Sequence, residues 1–253
     1  MSASPFLLKG RSILITGASS GLGRRFAQVL ASGGAKLAVA ARRADRLTKL
    51  VAELKTAGCD AVAVAMDVED ESSIVAGFDA AETAIGPING VIANAGMNSR
   101  ALAADIDAEE FDKVFAVNTR GVFLTARECA RRAMKAKQDG RIVLVSSIGA
   151  VKVLPGLTAY CASKAAIVMM GRCLSREWAN RGINVNILCP GYIRTELNSE
   201  WFDEEGGKKQ IATFPRRRLM EETDLDAIVA YLMSDASRAV TGSVFTIDDG
   251  QTL

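Results

Sequence analysis

Tyr160 and Lys164 stand four residues apart in Tyr160-Cys161-Ala162-Ser163-Lys164. The stretch has a helical pattern, and this spacing puts a phenol and an ammonium on one helix face. An unperturbed phenol titrates near ~10, too high for efficient proton exchange at neutral pH. A cation beside it favours the phenolate and is expected to lower that value. Ser147 ends an apolar strand pattern upstream, at the carboxyl edge of a sheet, where α/β proteins bind ligands. Asn118 lies in Ala116-Val117-Asn118-Thr119, inside a long helical pattern. Taken alone it reads as a side chain that bonds nearby backbone and bends its helix. The chain has no histidine. That excludes a Ser-His-Asp hydrolase and a His-ligated zinc site, and leaves acid/base work at neutral pH to other side chains. No metal is expected.

A second constellation suits a dinucleotide. An apolar strand runs into Thr16-Gly17-Ala18-Ser19-Ser20-Gly21-Leu22-Gly23 and then a helix. A strand, a glycine-rich turn and a helix N-terminus present backbone N–H groups and a positive dipole end to phosphate. Gly17 permits the tight turn, Gly21 the close approach of a ligand, and Gly23 the packing of helix on strand. The spacing is G-x-x-x-G-x-G rather than G-x-G-x-x-G, and a bare βα turn would share it. The next strand ends Ala40-Ala41-Arg42-Arg43, with no acid before Asp45. An NAD site places an acid there for the ribose hydroxyls, whereas arginine suits a 2′-phosphate. NADP(H) is therefore expected over NAD(H), with Arg42 carrying most of the preference and Arg43 beside it. Asp67-Val68 follows the third strand and suits the adenine; Asn94-Ala95-Gly96 closes the fourth and suits a ribose.

These residues need a scaffold that brings strand ends together. Apolar, β-branched runs at Ser12–Thr16, Leu37–Ala41, Ala61–Met66, Gly90–Ala93, Arg141–Ser146, Asn184–Leu188 and Val244–Ile247 read as strands. Amphipathic stretches at Leu22–Ser32, Arg43–Ala57, Ser72–Ile85, Ala108–Lys137, Ala159–Arg181 and Leu225–Ser234 alternate with them. Apolar strands separated by helices indicate a parallel sheet covered on both faces. One doubly wound α/β domain over residues 1–253 is expected. The one interruption is Asn198–Phe214, which reads as a lid over the substrate, or as two short surface helices.

The composition fits a soluble globular chain: 49% of the 253 residues are hydrophobic and 24% charged. A net charge of +2 is too small to imply nucleic acid or an anionic membrane. Arg216-Arg217-Arg218 is followed by Glu221 and Glu222 and reads as a solvated segment. Neither a signal peptide nor an apolar run of transmembrane length is present. The five scattered cysteines suit reduced thiols in the cytoplasm.

The ordered set resembles the short-chain dehydrogenase/reductases along essentially the whole chain. It comprises Thr16–Gly23, Asp67, Asn94–Gly96, Asn118, Ser147, Tyr160 with Lys164, Pro190-Gly191 with Thr195, and Thr241-Gly242 through Asp249-Gly250. Ala93-Asn94 stands where the family often has two asparagines, and Cys161 and Cys189 where it often has small polar residues. The resemblance implies a seven-stranded Rossmann sheet in a homotetramer. It implies Tyr160 as general acid/base, Ser147 polarising the substrate oxygen, and Lys164 holding the nicotinamide ribose. Asn118 would support a water relay to Lys164. Pro190, Gly191 and Tyr192 would lie along the nicotinamide, with Ile193 and Thr195 near its carboxamide. The expected activity is hydride transfer between NADP(H) and a carbonyl or secondary alcohol. A 3-oxoacyl-thioester reductase is the alternative within that chemistry, with Arg131, Arg132, Lys135, Lys137, Arg172 and Arg176 as a carrier-protein patch. A dinucleotide-binding sensor without turnover is the alternative outside it. Met97, Val153, Leu154, Tyr192, Trp201 and Phe202 are candidates for an apolar substrate pocket or for core.

Overall fold

A computed structural model describes residues 6–195 and 199–253. Its sheet contains β1 (Ser12–Thr16), β2 (Lys36–Ala41), β3 (Ala61–Ala65), β4 (Gly90–Ala93), β5 (Gly140–Val145), β6 (Ile183–Pro190) and β7 (Val244–Ile247). The strand order is β3-β2-β1-β4-β5-β6-β7 and every pairing is parallel. Parallel neighbours need crossovers, and helices supply them: α1 (Gly21–Ser32), α2 (Ala44–Thr56), α3 (Glu71–Ile85), α4 (Ala108–Phe115), α5 (Val122–Ala136) and α6 (Thr158–Trp178). The short α7 (Ser199–Asp203) and α8 (Glu205–Thr213) follow β6, and α9 (Asp226–Met233) precedes β7.

Strand side chains alternate between two apolar layers. Leu14, Val91, Leu144 and Ile187 pack with Phe78 and Ile167 on one face; Ile13, Ile15, Ile92, Val143 and Leu188 pack with Phe26, Leu30 and Val229 on the other. A sheet buried on both faces cannot slip by one residue without exchanging its entire set of contacts, so the register is fixed. Strand order reverses between β1 and β4, which opens a crevice at their carboxyl ends.

One difference from the sequence expectation and one choice between its alternatives bear on the site. The single helix expected over Ala108–Lys137 is interrupted by a π-helical turn at Ala116–Gly121. The excursion over Asn198–Phe214 forms the two short helices α7 and α8; Asn198 itself lies outside the described residues. No helix among the described residues is long and apolar enough to cross a membrane.

Candidate active site

The glycine-rich turn is built for close packing. Gly17 has φ +68°, and a Cβ there would lie 2.9 Å from Ala95 Cα. At Gly23 a Cβ would lie 2.4 Å from the Gly17 carbonyl oxygen, so helix α1 could not seat on β1 with any other residue. Gly21 (φ +51°) faces the Thr195 side chain. Asn94 locks the turn from the next strand: its Nδ2 donates to the carbonyls of Thr16 at 3.0 Å and Gly17 at 3.4 Å. The Thr16 hydroxyl accepts from both Asn94 and Ala95 N–H at 3.1 Å. Ser20 precedes α1 without making a side-chain cap, and the first turn of α1, which includes Leu22, holds no acid. The leading N–H groups and positive dipole end are thus left for an anion, as a dinucleotide pyrophosphate requires.

At the end of β2 the two arginines diverge. Arg43 bends over the turn and donates to Ser19 Oγ at 2.8 and 3.1 Å and to Ser20 Oγ at 2.9 Å. Arg42 turns the other way, toward Glu69 Oε2 at 3.6 Å, with its side chain 66% exposed. At the end of β3, the Asp67 carboxylate accepts from Glu69 N–H at 3.0 Å, and its own N–H donates to Ser73 Oγ at 2.9 Å. Val68 is buried against Gly121, where a Cβ would lie 2.9 Å from the Val68 carbonyl oxygen. Arg42, Arg43, Asp67 and Asn94 therefore all lie on the carboxyl side of the sheet, around the glycine turn.

Ser147 follows β5, and its hydroxyl accepts from Gly149 N–H at 3.0 Å. The Tyr160 hydroxyl, from the first turns of α6, hydrogen-bonds Ser147. Lys164, one turn on, is buried and donates to the Val145 carbonyl at 3.0 Å. Its ammonium lies 5.7 Å from the centre of the Tyr160 ring. Burial lowers the Lys164 pKa to about 8. Tyr160 does not show the lowered pKa expected of a phenol beside Lys164. Burial is the larger influence and raises it, opposed by the Ser147 hydrogen bond. The phenol accordingly keeps its proton at neutral pH.

Asn118 does not bond its own helix. It donates from Nδ2 to the Met97 carbonyl at 2.9 Å and Ser163 Oγ at 3.0 Å, and its Oδ1 accepts from Met97 N–H at 2.8 Å. The π turn brings that amide to the β4 exit; turns of this kind concentrate at functional sites. At Gly96 a Cβ would lie 3.4 Å from both Asn118 Oδ1 and Lys164 Nζ, so the three share one small space.

The remaining wall was legible in the sequence only in part. Pro190 ends β6, and Gly191 has no room for a side chain because Gln251 Oε1 would lie 2.6 Å from its Cβ. The buried Gln251 accepts from Tyr192 N–H at 2.6 Å, and Lys152, from the Ser147 loop, donates to the Gln251 carbonyl. Ile193 is buried and bridges to Met220. The Tyr192 ring stacks on Phe214 at 5.4 Å and meets Phe202 edge-on at 5.7 Å. Phe202 is core, whereas Val153 is 87% exposed. Lys152 and Gln251 carried no sequence signal, because their contacts join distant segments.

The family model described as short chain dehydrogenase matches residues 11–206. The chain is 37% identical over 254 residues to the oxidoreductase UcpA of Salmonella typhimurium, covering 97% of this chain and 96% of that protein. It is 32% identical over 250 residues to 2-(S)-hydroxypropyl-CoM dehydrogenase 3 of Xanthobacter autotrophicus, covering 97% and 98%. The structure of a gluconate 5-dehydrogenase from Burkholderia cenocepacia, in complex with NADP and tartrate, aligns with a TM-score of 0.93 at 29% identity, covering 100% and 99%.

Proposed function

The chain belongs to the short-chain dehydrogenase/reductase family, oxidoreductases of alcohols and carbonyls, and from that premise we propose an NADP(H)-dependent enzyme with Tyr160 as its general acid/base. The observation that carries this reading is the hydrogen-bonded Ser147–Tyr160 hydroxyl pair at the carboxyl edge of the sheet, with Lys164 buried beside it. NADP(H), when bound, supplies or accepts the hydride. Ser147 and Tyr160 then direct two hydroxyls at the substrate oxygen and stabilise the charge that develops on it. Tyr160, protonated at neutral pH, donates to that oxygen in reduction and takes the proton back in oxidation. Lys164 would hold the nicotinamide ribose, with Asn118 filling the space beside it. Thr195, Ile193 and the Pro190-Gly191 turn suit the carboxamide side.

Arg43 supports the choice of a 2′-phosphate: its guanidinium already lies at the glycine turn, held on the Ser19 and Ser20 hydroxyls. Arg42 would join after releasing Glu69. No observation favours a carrier-protein substrate, since Arg132 is committed to Asp79, Glu82 and Glu128. A homotetramer in the reducing cytoplasm belongs to the same proposal, and the free cysteines agree with that compartment.

The test is Tyr160→Phe. It should lower kcat by about 10²–10⁴-fold or more, in line with the loss of a positioned proton donor, while titration shows NADPH bound within threefold of wild type. Substantial turnover in that variant would refute Tyr160 as the proton donor.

A further inference from the structure

Arg100 lies between β4 and α4, and its guanidinium carbon sits 3.6 Å from the centre of the Trp201 ring. Trp201 is a rigid platform. Its Nε1–H donates to Gln210 Oε1 at 2.9 Å, and the six-membered part of the ring abuts Gly206, where a Cβ would lie 2.5 Å from it. The backbone beside Arg100 is equally fixed. Ala101 N–H donates to the Gly156 carbonyl at 3.1 Å, and Ala101 bridges to Leu157, three residues before Tyr160. Arg100 forms no ion pair among the described residues, whereas Arg194, on the segment leading to α7, pairs with Asp203. A guanidinium lying on an aromatic face keeps its in-plane N–H donors free for a planar anion.

Its charge reaches the catalytic side of the cleft. Arg100 acts electrostatically on Tyr192, against the burial that raises that phenol's pKa, and Gln210 hydrogen-bonds the same phenol. Tyr192 in turn influences Tyr160. The stacked arginine, Trp201 with its Gln210 partner, Tyr192 and the Ser147–Tyr160 pair thus form a run of neighbours, with a cation at one end and the hydroxyl pair at the other. We propose that the substrate is an oxo or hydroxy acid whose carboxylate docks on Arg100 while its carbonyl or carbinol oxygen meets Ser147 and Tyr160. The inference rests on the oxidoreductase reading above, and adds the substrate class. Arg100 is its specificity residue, and Trp201 brings α7 into the site as the platform on which that residue lies.

The test assays 2-, 3-, 4- and 5-oxo acids, each against its own methyl ester, for NADPH consumption. Wild type should prefer acid over ester by at least tenfold in kcat/KM at one chain length. Arg100→Ala should lose about 10- to 100-fold on that acid, through KM, as expected for losing hydrogen bonds to a charged group. Its kcat and its rates on the ester should stay within threefold. Arg100→Lys, which keeps the charge but not the fork, should recover only part. Esters reduced as well as acids at every length, or an acid preference surviving in Arg100→Ala, would overturn the proposal.

A second readout needs no turnover. The chain has two tryptophans, so Trp178→Phe leaves Trp201 as sole reporter. Succinate, which has no carbonyl to reduce, should change its fluorescence saturably, and should fail to do so once Arg100→Ala is added. A saturable, Arg100-dependent response without reduction of any acid or ester would uphold the anion site and overturn the hydride reading. Ester reduction without any succinate response would uphold the oxidoreductase and overturn the Arg100 assignment.

Discussion

A lysine ammonium enclosed behind β5, with one backbone carbonyl to bond, weakens the fold. Below pH 8 Lys164 is charged in both the folded and unfolded chain, so the burial penalty stands in full. Its folded pKa of about 8 lies below the ordinary lysine range. Between those two values the folded chain binds fewer protons than the unfolded one, and stability rises with pH. Cys59 and Cys129, pushed by burial up to about 11 and about 12, act oppositely: above the ordinary thiol range the unfolded chain loses protons that the folded chain keeps. The informative quantity is therefore the difference between Lys164→Met and wild type. The variant should be more stable at pH 7 by on the order of 1–3 kcal/mol, the gap should narrow from pH 8 to 10, and activity should be lost. A gap that does not change with pH in denaturant titrations would contradict the burial account. The arginines after β2 give a second residue-scale prediction. Arg43→Ala should raise KM for NADPH about 10- to 100-fold, toward the lower figure in salt. Arg42→Ala, whose partner is Glu69, should change it only a few-fold, and neither should alter KM for NADH. Equal affinity of the wild type for NADH and NADPH in direct titration would reject the cofactor choice.

At the scale of elements, the segments that carry hydrophobic periodicity were readable before the fold. β1, β4 and β7 begin and end where the sequence places them, and the other strands differ by at most two residues at either end. The π turn at Ala116–Gly121 was not readable, because one extra residue in a turn barely disturbs an apolar pattern of period 3.6. What determines it is tertiary: Val68 crowds Gly121, Met97 grips Asn118, and the Thr119 hydroxyl donates to the Ser163 carbonyl at 3.3 Å. Of the site, the glycine turn and the Ser–Tyr–Lys set were legible because their spacing is local or their residue types are unusual. Gln251 was not, since its partner Tyr192 is 59 positions away. It is a positioning residue, and Gln251→Ala should lower kcat by roughly tenfold through loosened orientation without moving the pH profile. Gln251→Glu keeps an acceptor for the Tyr192 N–H and should recover part of the rate. A pH profile displaced in Gln251→Ala would argue for a direct part in proton transfer instead.

For the whole molecule, the proposed assembly can be tested on the outer face of α6. Ala162 and Ala165 are exposed there, as is Met169 at 59%, and Phe111 on α4 adds a stacked pair with Phe115. Symmetric pairing of such helices, repeated, gives a closed tetramer. Sedimentation at micromolar concentration should show a species four times the 26.8 kDa chain mass, and Met169→Glu should shift it toward smaller species. A wild type that sediments only as the single chain would exclude the tetramer.

The strand order has a further consequence, in time rather than in space. β1 lies in the interior of the sheet, flanked by β2 and β4, so a ribosome releasing the chain delivers the middle of the sheet first. Everything that cradles the dinucleotide around the glycine turn, from Thr16 to Gly96, emerges before any part of the Ser147–Tyr160–Lys164 set. At about 5–20 residues per second, the delay to Lys164 is on the order of several seconds. During that interval a nascent chain has its glycine turn but neither Tyr160 nor Lys164. A nicotinamide dinucleotide that binds it then would act as a folding ligand, favouring the compact state by mass action, before it ever serves as a reactant.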